Sequence, residues 1–287
     1  MAQSKADLRL LTLNTHSWQE ADNASCLRYV AEAVLAERPD VIALQEVNQS
    51  ENGAPADPGR LRESGFVSCG FDIVENNWAL LLAENLRNAG EDWDWSWGFA
   101  HIGYRGWAEG VALLSRAPLT QVRSIDISDP GLPADSWRHR RVLAGRNEYG
   151  WFCSVHAGWW GDEADPFRNQ WKRLIGFAQG LDGPRYLMGD FNCPAHLPNE
   201  GYALMLASGM QDCYARAADK DAGITVPGQI DGWRDGRVEG LRLDLCLAGQ
   251  PGRTLRSRVI FNGAFYPVIS DHFGVFTWED NAESSDQ

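Results

Sequence analysis

Short apolar runs that stop abruptly at an acid, an amide or a histidine recur along the whole chain, and they constrain its fold more than any other feature. Arg185-Tyr186-Leu187-Met188 runs through Gly189 into Asp190-Phe191-Asn192, with Pro194 closing the loop. Leu8 to Leu13 ends in Asn14-Thr15-His16, Asp40 to Gln45 ends at Glu46, and Trp151 to Val155 ends at His156. Runs of this length and composition read as buried strands, whose ends hold a side chain rigidly yet leave it open to a ligand. Leu241 to Leu247 encloses Asp244, where an unpaired charge would be costly and a histidine is the natural partner. Val268-Ile269-Ser270-Asp271-His272, ahead of the apolar run to Phe276, offers one.

Asp190 and Asn192 alone are read equally well as an Asx turn closing a strand. The companion clusters favour chemistry. A carboxylate can accept a proton or bind a cation, an amide can donate to an oxyanion, and an Asp-His pair can serve as metal ligand and general acid or base.

Taken in order, Leu13-Asn14, Leu44-Gln45-Glu46-Val47, Glu109-Gly110 before Leu113-Leu114-Ser115-Arg116, Val155-His156, Gly189-Asp190-Phe191-Asn192, Leu243-Asp244 and Ser270-Asp271-His272 resemble the endonuclease/exonuclease/phosphatase superfamily. The resemblance covers nearly the whole chain. It implies a deoxyribonuclease I-like α/β (α+β) four-layer sandwich, two packed mixed β-sheets flanked by helices, with the site at one edge of the sheets. It also implies that Glu46 is the principal divalent-metal ligand, assisted by Asn14 and Asp271. Asp190 would orient or deprotonate the attacking water, and Asn192 would hydrogen-bond the phosphoryl oxygens. His272, held by Asp244, would face the phosphate, and His156 would form a matching pair with Glu109. A carboxylate behind an imidazole fixes its tautomer and favours its protonated form. Oxygen ligands without thiolates suit Mg²⁺, with Mn²⁺ acceptable to the same donors.

The loops narrow the resemblance. Leu11 to Glu20, His101-Ile102-Gly103-Tyr104, His156-Ala157-Gly158-Trp159-Trp160, Asp165-Pro166-Phe167, Glu200-Gly201-Tyr202 and Gly223-Ile224-Thr225-Val226 are similar to the bacterial maltose 6'-phosphate phosphatase branch, which acts on cytoplasmic disaccharide phosphates. That similarity implies a Mg²⁺-dependent phosphomonoesterase releasing free sugar and inorganic phosphate.

Charge points the same way. With 26 Lys and Arg against 39 Asp and Glu, the formal net charge is -13. Nucleic-acid binding draws on phosphate contacts and a basic stripe, so a nucleic-acid partner is not expected. The one basic run, Trp137-Arg138-His139-Arg140-Arg141, suits a single phosphate, with Arg140 as first choice of contact and Arg141 as second; the alternative is a solvated strand edge. Of 13 tryptophans, Trp18, Trp107, Trp159, Trp160 and Trp233 lie beside the polar clusters, where flat faces suit a sugar ring. Trp93, Trp95 and Trp97 alternate on one strand-like face and read as core.

Helical periodicity begins near Asn23, after Asn77 and after Asp165-Pro166, the last a helix-start signal. Without linker or repeat, residues 1–278 read as a single catalytic domain and 279–287 as a frayed acidic tail. The 6 cysteines have no CxxC or zinc spacing, and Cys153 and Cys246 read as reduced core residues. No signal-peptide core follows Lys5 and no stretch is long enough to span a membrane, so a cytoplasmic location is expected. Two other readings remain: a phosphodiesterase or nuclease with the same catalytic core, and a catalytically inactive sugar-binding protein.

Overall fold

Each apolar run pairs with neighbours that cover its backbone hydrogen bonds. A computed structural model describes residues 7–230, 233, 240–250 and 252–280. Its strands are β1 (Leu8–Asn14), β2 (Val41–Ser50), β3 (Asp94–Ile102), β4 (Trp107–Ser115), β5 (Gln121–Asp126), β6 (Arg141–Asn147), β7 (Gly150–His156), β8 (Arg185–Asp190), β9 (Gln211–Asp212), β10 (Asp219–Lys220), β11 (Asp244–Ala248), β12 (Arg253–Ile260) and β13 (Gly274–Asp280). The helices are α1 (Asn23–Glu37), α2 (Pro58–Glu63), α3 (Trp78–Asn88), α4 (Phe167–Gln179), α5 (Gly201–Ala207) and α6 (Cys213–Arg216).

The strands form two mixed sheets, ordered β10-β12-β13-β1-β2-β4-β3 and β5-β6-β7-β8-β11-β9. β1 and β2 run parallel, as do β7 and β8, whereas β13 and β4 flank the first pair antiparallel and β11 flanks β8 antiparallel. Leu8, Leu10, Val41, Ala43, Val111 and Leu113 from one sheet meet Leu143, Phe152, Tyr186, Met188 and Cys246 from the other. The far face of the first sheet is covered by α1 and α3, and that of the second by α4. The result is the four-layer sandwich of two packed mixed sheets and flanking helices.

Local chemistry explains the helix starts. Asp22 accepts the Ser25 N–H at the head of α1, and Asn77 accepts those of Ala79 and Leu80 at the head of α3. α4 begins at Phe167, directly after Asp165-Pro166 as expected. Pro166 holds the cap position, while the buried Asp165 accepts from Gln170 Nε2 at 2.9 Å and ties down the Asp129 N–H at 3.1 Å.

The sequence reading needs correction at two strand ends. Asp244 opens β11 rather than lying inside a strand; Leu241 instead bridges Val226 in a loop. The frayed tail expected from residue 279 starts too early. β13 runs through Asp280, where Glu279 pairs with Leu8 on one side and Thr254 on the other and is fully buried, accepting from the Thr254 hydroxyl. Residues 281–287 lie outside the described residues. Trp93, Trp95 and Trp97 are core, as their alternation predicts. The 6 cysteines are free, with Cys153 and Cys246 buried. No helix among the described residues is long and apolar enough to cross a membrane.

Candidate active site

Register assembles the polar strand ends at one edge. In the second sheet Asp190 stands opposite His156 on the parallel strand β7 and opposite Asp244 on the antiparallel strand β11, so the three side chains share one rung. In the first sheet β1 ends at Asn14 beside β2, and the loop before β13 brings Asp271 and His272 to the same end. Asn14 Nδ2 joins the two sheets, lying 2.8 Å from Glu46 Oε1 and 3.3 Å from Asp190 Oδ2.

Glu46 reaches this position through a bulge. Leu44 pairs with Ala112 and Val47 with Gly110, so β2 carries one more residue than β4 between them, and Glu46 has a left-handed φ of 51°. His16 and Asn192 are also left-handed, at φ 47° each. For residues other than glycine this costs of order ~1–3 kcal/mol apiece, and such strain concentrates where a side chain must be aimed.

The ionisable groups divide into two histidine arrangements. His272 Nδ1 lies 2.9 Å from Asp244 Oδ2, and its Nε2 lies 3.8 Å from Asp190 Oδ2. Burial opposes a charge on His272, but the Asp244 and Asp190 carboxylates outweigh it and raise the imidazole to about 10. It is therefore an imidazolium at neutral pH. His156 behaves oppositely. Burial, then the charges of Arg140, His101 and His272, hold it well below its ordinary value.

The expected Glu109–His156 pair is correspondingly loose, with His156 Nδ1 3.8 Å from Glu109 Oε1, beyond hydrogen-bond range. Burial pushes Glu109 up to about 8, the Glu46 charge adding to the shift and Arg140 opposing it. A carboxyl so raised does not hold an imidazole in its charged form, so His156 is a neutral group here. His101, which the sequence reading did not assign a role, approaches the same Glu109 oxygen at 3.4 Å, and its Nδ1 faces the His139 carbonyl at 3.0 Å. Only spatial pairing singles it out. Asp190 is raised to about 7, chiefly by burial, with His272 opposing and the Asp244 charge assisting.

Asn192 is tied to Asp190 and to the end of β7. Its backbone N–H donates to Asp190 Oδ1 at 2.8 Å, and its side-chain Nδ2 donates to the Ala157 carbonyl at 3.0 Å. The Trp233 indole N–H donates to its Oδ1 at 3.1 Å, so Trp233 braces Asn192.

A cleft of about 820 Å³ opens over these groups, lined among others by Glu46, Glu109, Asp190, Asp271, His156, His272 and Arg140. Arg140 is 4% exposed, its Nε has no hydrogen-bond partner among the described residues, and its guanidinium covers the Trp159 ring at 5.6 Å. Its Nη1 lies 3.9 Å from Glu109 Oε1, a loose pairing that leaves the guanidinium able to take up a further anion. Trp159 lines the cleft, and so does Trp137, which the sequence reading saw only as part of a basic run.

The other candidates stand elsewhere among the described residues. Arg141 donates to the Phe99 carbonyl and covers the Phe71 ring, because it begins β6 and faces the opposite way from Arg140. Trp18 and Trp107 stack on each other at 5.8 Å, with the Trp18 N–H taken by the Asn76 carbonyl. Trp160 packs against the α4 core, under the Arg168 guanidinium.

The donor set fits a hard divalent cation. Glu46, Glu109, Asp190 and Asp271 crowd one cleft, and the charge of Glu46 contributes to raising both Glu109 and Asp190. A cation would relieve that repulsion, and all donors are oxygens or nitrogens with no thiolate. Asp190, Asp244 and His272 also place one ligand atom each within 4.8 Å of one another. Within that group His272 Nδ1 lies 2.9 Å from Asp244 Oδ2. Glu46 and Asp271 line the same cleft, and Asn14 Nδ2 lies 2.8 Å from Glu46 Oε1.

Residues 11–272 match the model of the Endonuclease/Exonuclease/phosphatase family. An endonuclease/exonuclease/phosphatase family protein from Leptotrichia buccalis is 27% identical, with a TM-score of 0.81 over 96% of this chain and 99% of that one. A mannosyl-6-phosphatase from Bacteroides thetaiotaomicron is 16% identical, with a TM-score of 0.60 over 94% of this chain and 98% of its own. A 3' phosphatase from Neisseria bound to product DNA hairpin is 20% identical, with a TM-score of 0.62 over 95% and 99%. No curated protein matches. Strand-end residues, fold and family model agree, and the chain belongs to the endonuclease/exonuclease/phosphatase family.

Proposed function

We propose that the protein is a divalent-metal-dependent phosphomonoesterase, with Mg²⁺ the natural occupant and Mn²⁺ acceptable, that hydrolyses a sugar phosphate, a disaccharide 6'-phosphate of the maltose 6'-phosphate type, to free sugar and inorganic phosphate. The observation that carries this reading is one cleft in which the buried Arg140 and the His272 imidazolium flank the Asp190 carboxyl beneath tryptophan walls. The loop similarity to the maltose 6'-phosphate phosphatase branch supports the sugar.

Bound by Glu46, Asn14 and Asp271, the cation would supply charge neutralisation at the phosphate. The chain's own residues do the rest. Arg140 clamps phosphoryl oxygens. Asp190, poised at about 7, aligns a water and takes its proton, held in place by the Asn192 N–H. His272, charged through Asp244, stabilises negative charge building on the phosphate, and the neutral His156 can donate one hydrogen bond there without adding charge.

The fold does not by itself exclude DNA, because the Neisseria 3' phosphatase of the same architecture is bound to a DNA hairpin. A net charge of -13 argues for the small ester. Phosphate release should be measured across mono- and disaccharide phosphates, with and without EDTA, beside plasmid DNA. Metal-dependent release from sugar esters is expected. Activity on DNA with none on any sugar phosphate would overturn the reading, and sugar binding with no metal-dependent release would point to the inactive binding protein.

A further inference from the structure

One wall of the cleft extends beyond the groups that act on the phosphate. Arg138 lies over Trp137 at 4.4 Å, Trp137 meets Trp159 edge to face at 5.8 Å, and Arg140 covers Trp159 at 5.6 Å, so guanidinium and indole alternate along one wall. Arg138 is itself anchored by Asp162 at 2.9 Å. The stack is thus fixed at both ends while Trp137 remains 44% exposed, and a large aromatic surface left open on a braced support is unusual without a ligand.

The polar groups around it have the complementary chemistry. Gln19, Asp135 and Gln229 line the same cleft, and no side-chain hydrogen bond occupies any of them among the described residues. One carboxylate and two amides, able both to accept and to donate, suit a ligand rich in hydroxyls. The space suits more than one ring. About 820 Å³ lies high in the range of roughly 300–1,000 Å³ usual for small-molecule sites.

We propose that Trp137 is the platform for the second sugar ring, the one that does not carry the phosphate, and that Gln19, Asp135 and Gln229 take its hydroxyls, making Trp137 the residue that selects disaccharide over monosaccharide phosphates. The ring's C–H face rests on the indole, and the hydroxyls at its rim reach the amides and the carboxylate. This rests on the sugar-phosphatase reading and extends it from the phosphate to the far ring. Trp137 touches none of the phosphate-binding groups except through Trp159, so it acts on binding and not on the chemical step.

The test compares Trp137→Ala and Trp137→Phe with the wild-type enzyme on maltose 6'-phosphate and glucose 6-phosphate. For Trp137→Ala the KM for the two-ring ester should rise about tenfold, with kcat within about twofold, and kinetics on the one-ring ester should be unchanged. Trp137→Phe should recover most of the loss. Equal effects on both esters, or none on either, would overturn the proposal. If the wild-type enzyme releases phosphate from neither ester, the sugar-phosphatase reading fails separately. Saturation-transfer NMR with unphosphorylated maltose then decides: signal lost in Trp137→Ala upholds the platform, and equal signal in both proteins removes it.

Discussion

Asp190 meets its neighbours through both oxygens. Oδ1 accepts the Asn192 N–H at 2.8 Å, while Oδ2 faces His156 Nε2 at 3.7 Å, His272 Nε2 at 3.8 Å and Asn14 Nδ2 at 3.3 Å. Replacing it by Asn keeps the shape but removes the proton acceptor. Turnover on the sugar ester should therefore fall by ~100-fold or more in Asp190→Asn, the scale for a positioned acid or base. His272→Ala should fall as far, because it removes the positive charge that offsets the charge building on the phosphate. Phosphate release from variants whose far-UV circular dichroism matches the parent checks both, and near-normal turnover in either strikes that residue from the mechanism.

At the level of strands, the closest approach in the site lies between β7 and β8. Gly189 has φ +149°, and a Cβ there would come within 1.9 Å of the Val155 carbonyl oxygen. Gly189→Ala must push the strands apart one rung below the His156–Asp190 pair, with an expected loss of roughly 1–3 kcal/mol. Urea unfolding reads this as a lower midpoint at constant slope, and an unchanged midpoint would show that the strands can separate freely. This architecture also explains what the sequence could reveal. Acids and histidines at strand ends were legible because an apolar run and its abrupt stop are local features, and register carries them to one edge. The aromatic contacts were not legible from proximity to the motifs. Trp18 and Trp107 satisfy each other across two elements, Trp233 serves Asn192, and Trp137 reaches the cleft from a turn whose direction no periodicity encodes. Arg140 and Arg141 are adjacent yet diverge, since strand alternation begins between them. His101 gains meaning only from Glu109, which the β3–β4 pairing sets opposite it.

Across the whole molecule, the buried acids and histidines predict how stability responds to pH. Asp190 and Glu109 rise in the fold from 3.8 and 4.5 to about 7 and about 8, so above their unfolded values the native state binds more protons and loses stability as pH climbs. His272, raised from 6.5 to about 10, contributes fully below 6.5 and loses that contribution as pH rises through about 10. His101 and His156 are depressed, so they favour unfolding only below 6.5, where the unfolded chain takes up their protons. From pH 6.5 upward the contribution of these groups to stability can only decline as pH rises. The Tm of the EDTA-treated protein should therefore fall between pH 6.5 and 10, and Mg²⁺ should restore more of it at the alkaline end, where Asp190 and Glu109 have lost their protons and the cation neutralises more negative charge in the cleft. A Tm that rises over this interval would contradict the assigned shifts. Because Asn14 closes β1 and His272 precedes β13, the site joins segments from the two ends of the chain through strands that pair side by side. Either sheet can acquire local hairpins and helices early, but the slow search that brings β13 beside β1 must finish before any substrate can turn over. Recovery of catalysis during refolding thus times the long-range closure of β13 on β1, not the appearance of secondary structure.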